Sequence, residues 1–268
     1  MFEQFSALTK GHIRGILRDR VLYGVFGVAV VMILLIPSLS GFSMRQVQEL
    51  SITLSLSVIS GVMLVVTLLL GASSIWRDIE RRYTSSILTL PLSRGIFVLG
   101  KFSSIVLFLA LSTVVLGISC ALVILLASVS YPSETPIHWG NIILALSGSL
   151  CKYMLLTALA LLLSSLSTSF YLPFFGTLAI YFCGSASQEV YEYVTGEFGK
   201  GMNSLAVSVA KGAYYLLPNL SAFDFQVYAV YGLPVHLEGL AMTVLYALVY
   251  TGILLFLAVL TFERRELP

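Results

Sequence analysis

The chain has 268 residues, of which 58% are hydrophobic and only 10% are charged, and its mean hydropathy is +0.96. Soluble domains carry about a quarter of their residues as charged side chains, so this composition excludes an ordinary soluble protein. The formal net charge of +2 says little by itself, and we expect no nucleic-acid partner.

The first twenty residues predict an amphipathic helix. Apolar residues recur near helical spacing, while basic residues lie on the other side of the same helix. The apolar set is Phe2, Phe5, Leu8, Ile13, Ile16 and Leu17, and the basic set is Lys10, Arg14 and Arg18. We expect residues 1–20 to lie in the membrane interface, where basic side chains are attracted to anionic headgroups.

Six apolar segments follow, each about as long as the twenty residues that a helix needs to cross the hydrocarbon. They are residues 21–40, 52–75, 104–127, 139–166, 170–187 and 240–262, and the fifth is the shortest. The prediction is an all-α integral membrane protein, with residues 1–268 forming a single transmembrane domain of six helices.

Basic residues are concentrated on one side of this arrangement, which is the side that faces the cytoplasm in multi-pass proteins. That side holds Lys10, Arg14, Arg18, Arg20, Arg77, Arg81, Arg82, Arg94, Lys101, Arg264 and Arg265, against Arg45, Lys200 and Lys211 on the other. Both termini are therefore predicted to be cytoplasmic. A cleavable signal peptide is the alternative for the first 40 residues, because Ser38 and Ser40 are small enough for a cleavage site.

The charged loop at residues 76–101 separates the second and third apolar segments. Trp76, Ile79, Tyr83, Ile87 and Leu90 share one helical face, which extends the second segment into the cytoplasm until Pro91 ends the helix. Asp78 and Arg82 have the spacing of a helical ion pair. Arginines in this loop would cost about 2.5–3.5 kcal/mol each at mid-bilayer, so the loop is either docked on a partner or solvated.

The outer segment at residues 188–239 is too polar to cross and too aromatic to be a free linker. Its tyrosines suit the membrane–water boundary, and residues 202–217 predict a short interfacial or re-entrant helix. Asn203 or Ser204 would cap this helix, and Pro218 would stop it.

Three charged residues are candidates for contact with a substrate. Lys152 falls inside the fourth segment, where a charge is costly and often lines a pathway. If that segment instead begins near Cys151, Lys152 merely reaches the outer interface. Glu189 and Glu192 lie one turn apart and are either a cation site or a wet helix end.

A set of short motifs follows in a fixed order along the chain. These are Glu80, Arg82-Tyr83-Thr84, Ile87-Leu88, Pro91, Ser93-Arg94 and Gly100-Lys101, then Leu217-Pro218-Asn219-Leu220, Phe223-Asp224, Val230-Tyr231-Gly232 and Phe262-Glu263-Arg264-Arg265. This order resembles the membrane subunits of type-2 ABC exporters and is similar to the permeases associated with multicopper-enzyme maturation. The resemblance covers essentially the whole chain, and one departure is Tyr83, where many members have glycine.

This resemblance implies a bacterial or archaeal cytoplasmic-membrane permease that works as a homodimer by alternating access. The sequence has no G-x-x-x-x-G-K-[ST] phosphate loop, so two separate ABC ATPase subunits would hold ATP and Mg, and no catalytic residue, cofactor or metal is expected on this chain. The ATPase would dock on Glu80, Arg81, Arg82, Tyr83, Thr84, Ile87, Leu88 and Pro91. A passive channel, or a membrane anchor that recruits a soluble complex, is the alternative.

Overall fold

The computed structural model describes residues 2–43, 46–80, 94–130, 136–196 and 203–264 of the chain. Within these ranges the backbone is mainly helical and contains no β-strand. The helices, in chain order, are α1 (Phe2–Ile16), α2 (Arg20–Gly41), α3 (Val47–Glu80), α4 (Arg94–Ser130), α5 (Trp139–Leu166), α6 (Tyr171–Thr195), α7 (Ser204–Leu216), α8 (Gln226–Tyr231) and α9 (Leu237–Glu263).

Five of these helices, α2, α3, α4, α5 and α9, are long and apolar enough to cross a membrane. The shortest of them has 22 residues, which gives a length of about 33 Å at 1.5 Å per residue. The all-α class and the membrane-protein character predicted from the composition are therefore confirmed. Helix α6 has 25 residues but is not among the five, because polar residues interrupt its apolar stretch.

The long helices run between two ends of one bundle, as side-chain contacts at each end establish. At the first end, the Trp76 ring lies 6.0 Å from Phe170, and the Ser165 and Thr261 hydroxyls are 2.6 Å apart. At the opposite end, the Asn141 amide donates to the Tyr228 carbonyl over 2.8 Å. We call these the loop end, where α3 ends and α4 begins, and the cap end.

Helices α3 and α5 form the centre of the bundle. Gly71 of α3 faces Ala160 of α5 so closely that a Cβ on Gly71 would lie 2.6 Å from the Ala160 Cβ. The fully buried Tyr153 shares a 2.6 Å hydrogen bond with Ser60, and the Ser164 hydroxyl donates to the Ala72 carbonyl. Small residues thus allow the close approach of two backbones, as is usual between membrane helices.

Helix α1 is helical as predicted, but it rests partly on protein. Leu8 packs on Gly100 of α4, where a Cβ would lie 2.6 Å from the leucine side chain. The Ser104 hydroxyl donates to the Thr9 carbonyl, while Lys10 and Arg14 are exposed. The apolar face therefore contributes to the bundle, and the basic face remains outside it.

Several predicted boundaries move once the fold is seen. Residues 94–101, expected in the charged loop, form the first two turns of α4, because Phe97 and Val98 are fully buried there. Helix α6 continues to Thr195, two turns beyond the predicted end at residue 187, and α9 begins at Leu237. Asn203 caps α7 through its side chain, as predicted, and the helix stops before Pro218.

Candidate functional site

The predicted ATPase-docking residues lie almost entirely outside the described residues. Glu80 is the last residue of α3, and the other seven, at positions 81 to 91, have no described structure. The two helices that carry this loop are described up to its edges. The loop end can therefore be analysed through the residues that flank the loop.

A buried ion pair joins α3 and α4 directly beneath the loop. Lys101 is 5% exposed, and its Nζ lies 2.5 Å from Oδ2 of Asp78. The same ammonium donates to the Ser74 carbonyl and lies 5.2 Å from the centre of the Phe97 ring. The predicted partner of Asp78 on its own helix, Arg82, lies outside the described residues, and the pair with Lys101 connects two helices.

His12 brings α1 into this cluster. Its ring meets the Phe97 ring edge-on at 6.0 Å. Burial and, to a lesser extent, the nearby Lys101 cation lower the pKa of His12 to about 4, while Asp78 partly opposes the shift. The imidazole is therefore neutral at pH 7.

Two arginines at the loop end bind the ends of two further helices, α2 and α9. Arg77 makes a 3.0 Å ion pair with Asp19, whose other oxygen accepts from the Val21 amide at the start of α2. Arg94 donates to the Glu263 carbonyl over 2.8 Å and to the Phe262 carbonyl over 3.3 Å, at the last turn of α9. A cation at a helix C-terminus satisfies carbonyls that have no partner within the helix. Five helices thus converge on the base of the loop.

A second polar region lies near the cap end, where the outer segment folds into the bundle. Gly184 contacts the Pro218 carbonyl, and Gly148 contacts the Phe223 carbonyl and the Phe225 ring, so a Cβ at either glycine would collide. Phe223 is 1% exposed. Within a membrane protein, backbone outside regular helices is tolerated only where protein or a wet cavity surrounds it. We call residues 217–226 the re-entrant segment.

Polar side chains hold the re-entrant segment in place. The Tyr246 hydroxyl accepts from the Asn219 amide over 2.9 Å, and the Asn219 side chain donates to Gln188 over 2.9 Å. The side-chain nitrogen of Gln226 donates to the Thr53 carbonyl over 3.2 Å and to the Ser57 hydroxyl over 3.4 Å. Helices α3, α6 and α9 therefore each contribute a hydrogen bond to this segment.

A cavity of about 40 Å³ lies between α3, α5 and the re-entrant segment. Such a volume holds roughly three water molecules and is far below the volume of a drug-sized site. Its polar lining is Ser60, Ser149, Lys152, Asp224 and Gln226.

Lys152 reaches this cavity from the middle of an unbroken helix. It follows the first residue of α5 by thirteen positions, or about 20 Å. Whether the membrane span includes residues 139–150 or begins near Cys151 is a separate matter, because a continuous helix fits both predictions. The ammonium lies 5.0 Å from the centre of the Tyr181 ring. Among the described residues, no carboxylate oxygen lies within 4 Å of its Nζ.

The structure does not bring the other two substrate candidates to the cavity. Glu189 and Glu192 are exposed near the end of α6, and Glu192 accepts a 2.5 Å hydrogen bond from Gln188. Within the described ranges, no group of His, Cys, Asp and Glu side chains could hold a metal ion.

Sequence reasoning missed the serines of the cavity and did not connect Asp224 with Lys152. A signal was present, because Ala145, Ser149 and Lys152 are spaced along one face of α5. No spacing rule relates that face to Asp224, which lies 72 positions further along the chain. Compared with protein families and with curated proteins, the sequence gives no match.

Proposed function

We propose that this chain is the membrane subunit of a type-2 ABC exporter, driven by a separate ATPase. In this proposal it crosses a bacterial or archaeal cytoplasmic membrane six times, with both termini in the cytoplasm. Two copies pair, and two ATPase subunits, which hold ATP and Mg, bind to the loop at residues 76–101. The two bundles then alternate between inward-facing and outward-facing states.

The observation that carries this proposal is the joining of five helices at the base of the loop. The Asp78–Lys101 pair links α3 to α4, and the His12 ring contacts Phe97 and so links α1 to α4. Arg77 links α3 to α2, and Arg94 links α4 to α9. A force applied to the loop would therefore reach several helices at once. A loop that only sets topology by its charge needs no such set of contacts.

The course of α6 supports the sixth crossing. Phe170, directly before α6, contacts Trp76 at the loop end, and Gln188 near its other end contacts Asn219 of the re-entrant segment. A length of 25 residues, about 37 Å, suffices to cross the hydrocarbon. With six crossings, α1 and the end of α9 lie on the same side, as the basic residues predict.

Affinity purification from the native membrane tests the proposal. The tagged chain, extracted in mild detergent, should bring with it an ATPase with a phosphate loop in a one-to-one ratio. Mass spectrometry identifies the partner, and quantitative staining gives the ratio. The control is the Lys211→Met variant, which changes an exposed base on α7 and should keep the partner.

The alternative functions give different outcomes in the same experiment. A passive channel would purify without an ATPase and would conduct ions in a planar bilayer without ATP. A membrane anchor would retain a soluble complex that lacks ATPase activity. Either result would overturn the transporter proposal.

A further inference from the structure

The cavity beside Lys152 places one cation among hydroxyl groups inside the bundle. Ser149 and Lys152 lie on one face of α5, Ser60 comes from α3, and Asp224 comes from the re-entrant segment. An ammonium group at this depth is costly unless water or an anion compensates its charge. Asp224 faces the same cavity without a direct ion pair.

The hydrogen-bonding capacity of the cavity favours an acid group as the ligand. The ammonium offers three N–H donors, and the Ser149 hydroxyl offers one. The Tyr153 hydroxyl, 2.6 Å from Ser60, can donate to that serine and leave the Ser60 hydroxyl free to donate into the cavity. The two N–H donors of the Gln226 side chain are used by the Thr53 carbonyl and the Ser57 hydroxyl, so this side chain adds no donor.

Asp224 supplies the opposing charge. Its Oδ1 accepts a 3.0 Å hydrogen bond from the backbone N–H of Gln226, which fixes the carboxylate at the start of α8. Asp224 is exposed, and its side chain lines the same cavity as Lys152 without forming an ion pair with it. An entering acid group would take over the ammonium and would be repelled by Asp224, which weakens binding and permits release.

We propose that the cavity binds the oxyanion of a ligand, a carboxylate or a phosphate, with Lys152 as its charge partner and Ser60 and Ser149 as hydroxyl donors. Calling this ligand the cargo rests on the transporter function proposed above; the binding site itself does not. The volume of about 40 Å³ admits the acid group alone, so the remainder of a larger molecule would lie outside the cavity.

Thermal unfolding of the chain in phosphatidylcholine nanodiscs, with no ATPase present, tests this site. The probes are sodium phosphate and sodium acetate, each compared with sodium chloride at equal ionic strength. We expect a saturable rise in Tm with one or both probes beyond the rise with chloride. A third arm replaces part of the lipid with phosphatidylglycerol, which shows whether a lipid headgroup supplies the oxyanion.

Four variants show whether the rise in Tm depends on the charges that line the cavity. Lys152→Arg should keep the response, and Lys152→Met should abolish it. Asp224→Asn should lower the half-saturating concentration about tenfold, because it removes a negative charge facing the same cavity. Lys211→Met is the matched control and should respond like the unaltered chain.

The proposal is overturned if none of the three arms stabilises the unaltered chain, or if Lys152→Met responds fully. If Lys152→Met does not fold, an unchanged half-saturation in Asp224→Asn overturns it equally. Because no ATPase takes part, failure here leaves the purification experiment unaffected, and failure to find an ATPase leaves this binding result unaffected.

Discussion

At the scale of single residues, Lys101 shows how the same side chain can be read in two ways. In the sequence it is one of several bases that mark a cytoplasmic loop. In the structure it is almost fully buried and pairs with Asp78. Breaking such a pair by removing one partner is costly, because it leaves a buried charge without compensation. Lys101 therefore stabilises the packing of the loop end, in addition to adding a positive charge there.

His12 gives a prediction about pH. Its pKa is about 4 in the folded chain and 6.5 when unfolded, so between these values the unfolded state binds more protons. The contribution of the neutral His12 to the free energy of unfolding should therefore be fully present above pH 7. It should decrease as the pH falls below 6.5 and reach a constant value below pH 4. The full effect is roughly 3 kcal/mol at 1.36 kcal/mol per pKa unit.

The measurement is the free energy of unfolding in detergent at several pH values, for the unaltered chain and for His12→Gln. The two proteins share every other titratable group, so the difference between the two curves isolates His12. It should shrink or reverse in favour of His12→Gln below pH 6.5. Parallel curves across the whole range would contradict the buried neutral imidazole.

At the scale of elements, the re-entrant segment depends on two glycines that face its backbone. A Cβ on Gly148 would lie 2.6 Å from the Phe223 carbonyl and 2.5 Å from the Phe225 ring. Gly148→Ala should therefore lower the free energy of unfolding by about 1–3 kcal/mol, the usual cost of overpacking. Denaturant or thermal unfolding in detergent measures this change.

Gly140→Ala is the matched control on the same helix, since a Cβ there would meet nothing within 4 Å. It should stay within about 0.5 kcal/mol of the unaltered chain, like most substitutions away from packed sites. Equal stability of the two alanine variants would mean that the segment does not press against Gly148.

The elements also show what sequence patterns can and cannot predict. Long apolar runs locate α2, α3, α4, α5 and α9 because a membrane span needs only length and low charge. The cap of α7 at Asn203 was predictable because the rule is local. The course of the re-entrant segment was not, since it depends on Gly148, Gly184 and Tyr246, which are distant in sequence and come together only through helix packing.

At the scale of the whole molecule, the two polar regions lie at different positions along the length of one bundle. Five helices, α1 to α4 and α9, are joined at the loop end, and the cavity with Lys152 lies towards the cap end, beneath the re-entrant segment. Helices α3 and α5 connect the two levels, since Gly71 packs on Ala160 and Ser60 bonds Tyr153. In our proposal, movement at the loop end would reach the cavity along this central pair.

The most direct test of the central claim is vanadate-sensitive ATP hydrolysis by the complex purified through the tagged chain. The unaltered chain should bring down such activity, and an Ile87→Asp/Leu88→Asp double variant should lose it while unfolding at the same temperature. The Lys211→Met chain should retain it. Absence of ATP hydrolysis with the unaltered chain, or full hydrolysis with the double variant, would contradict the account.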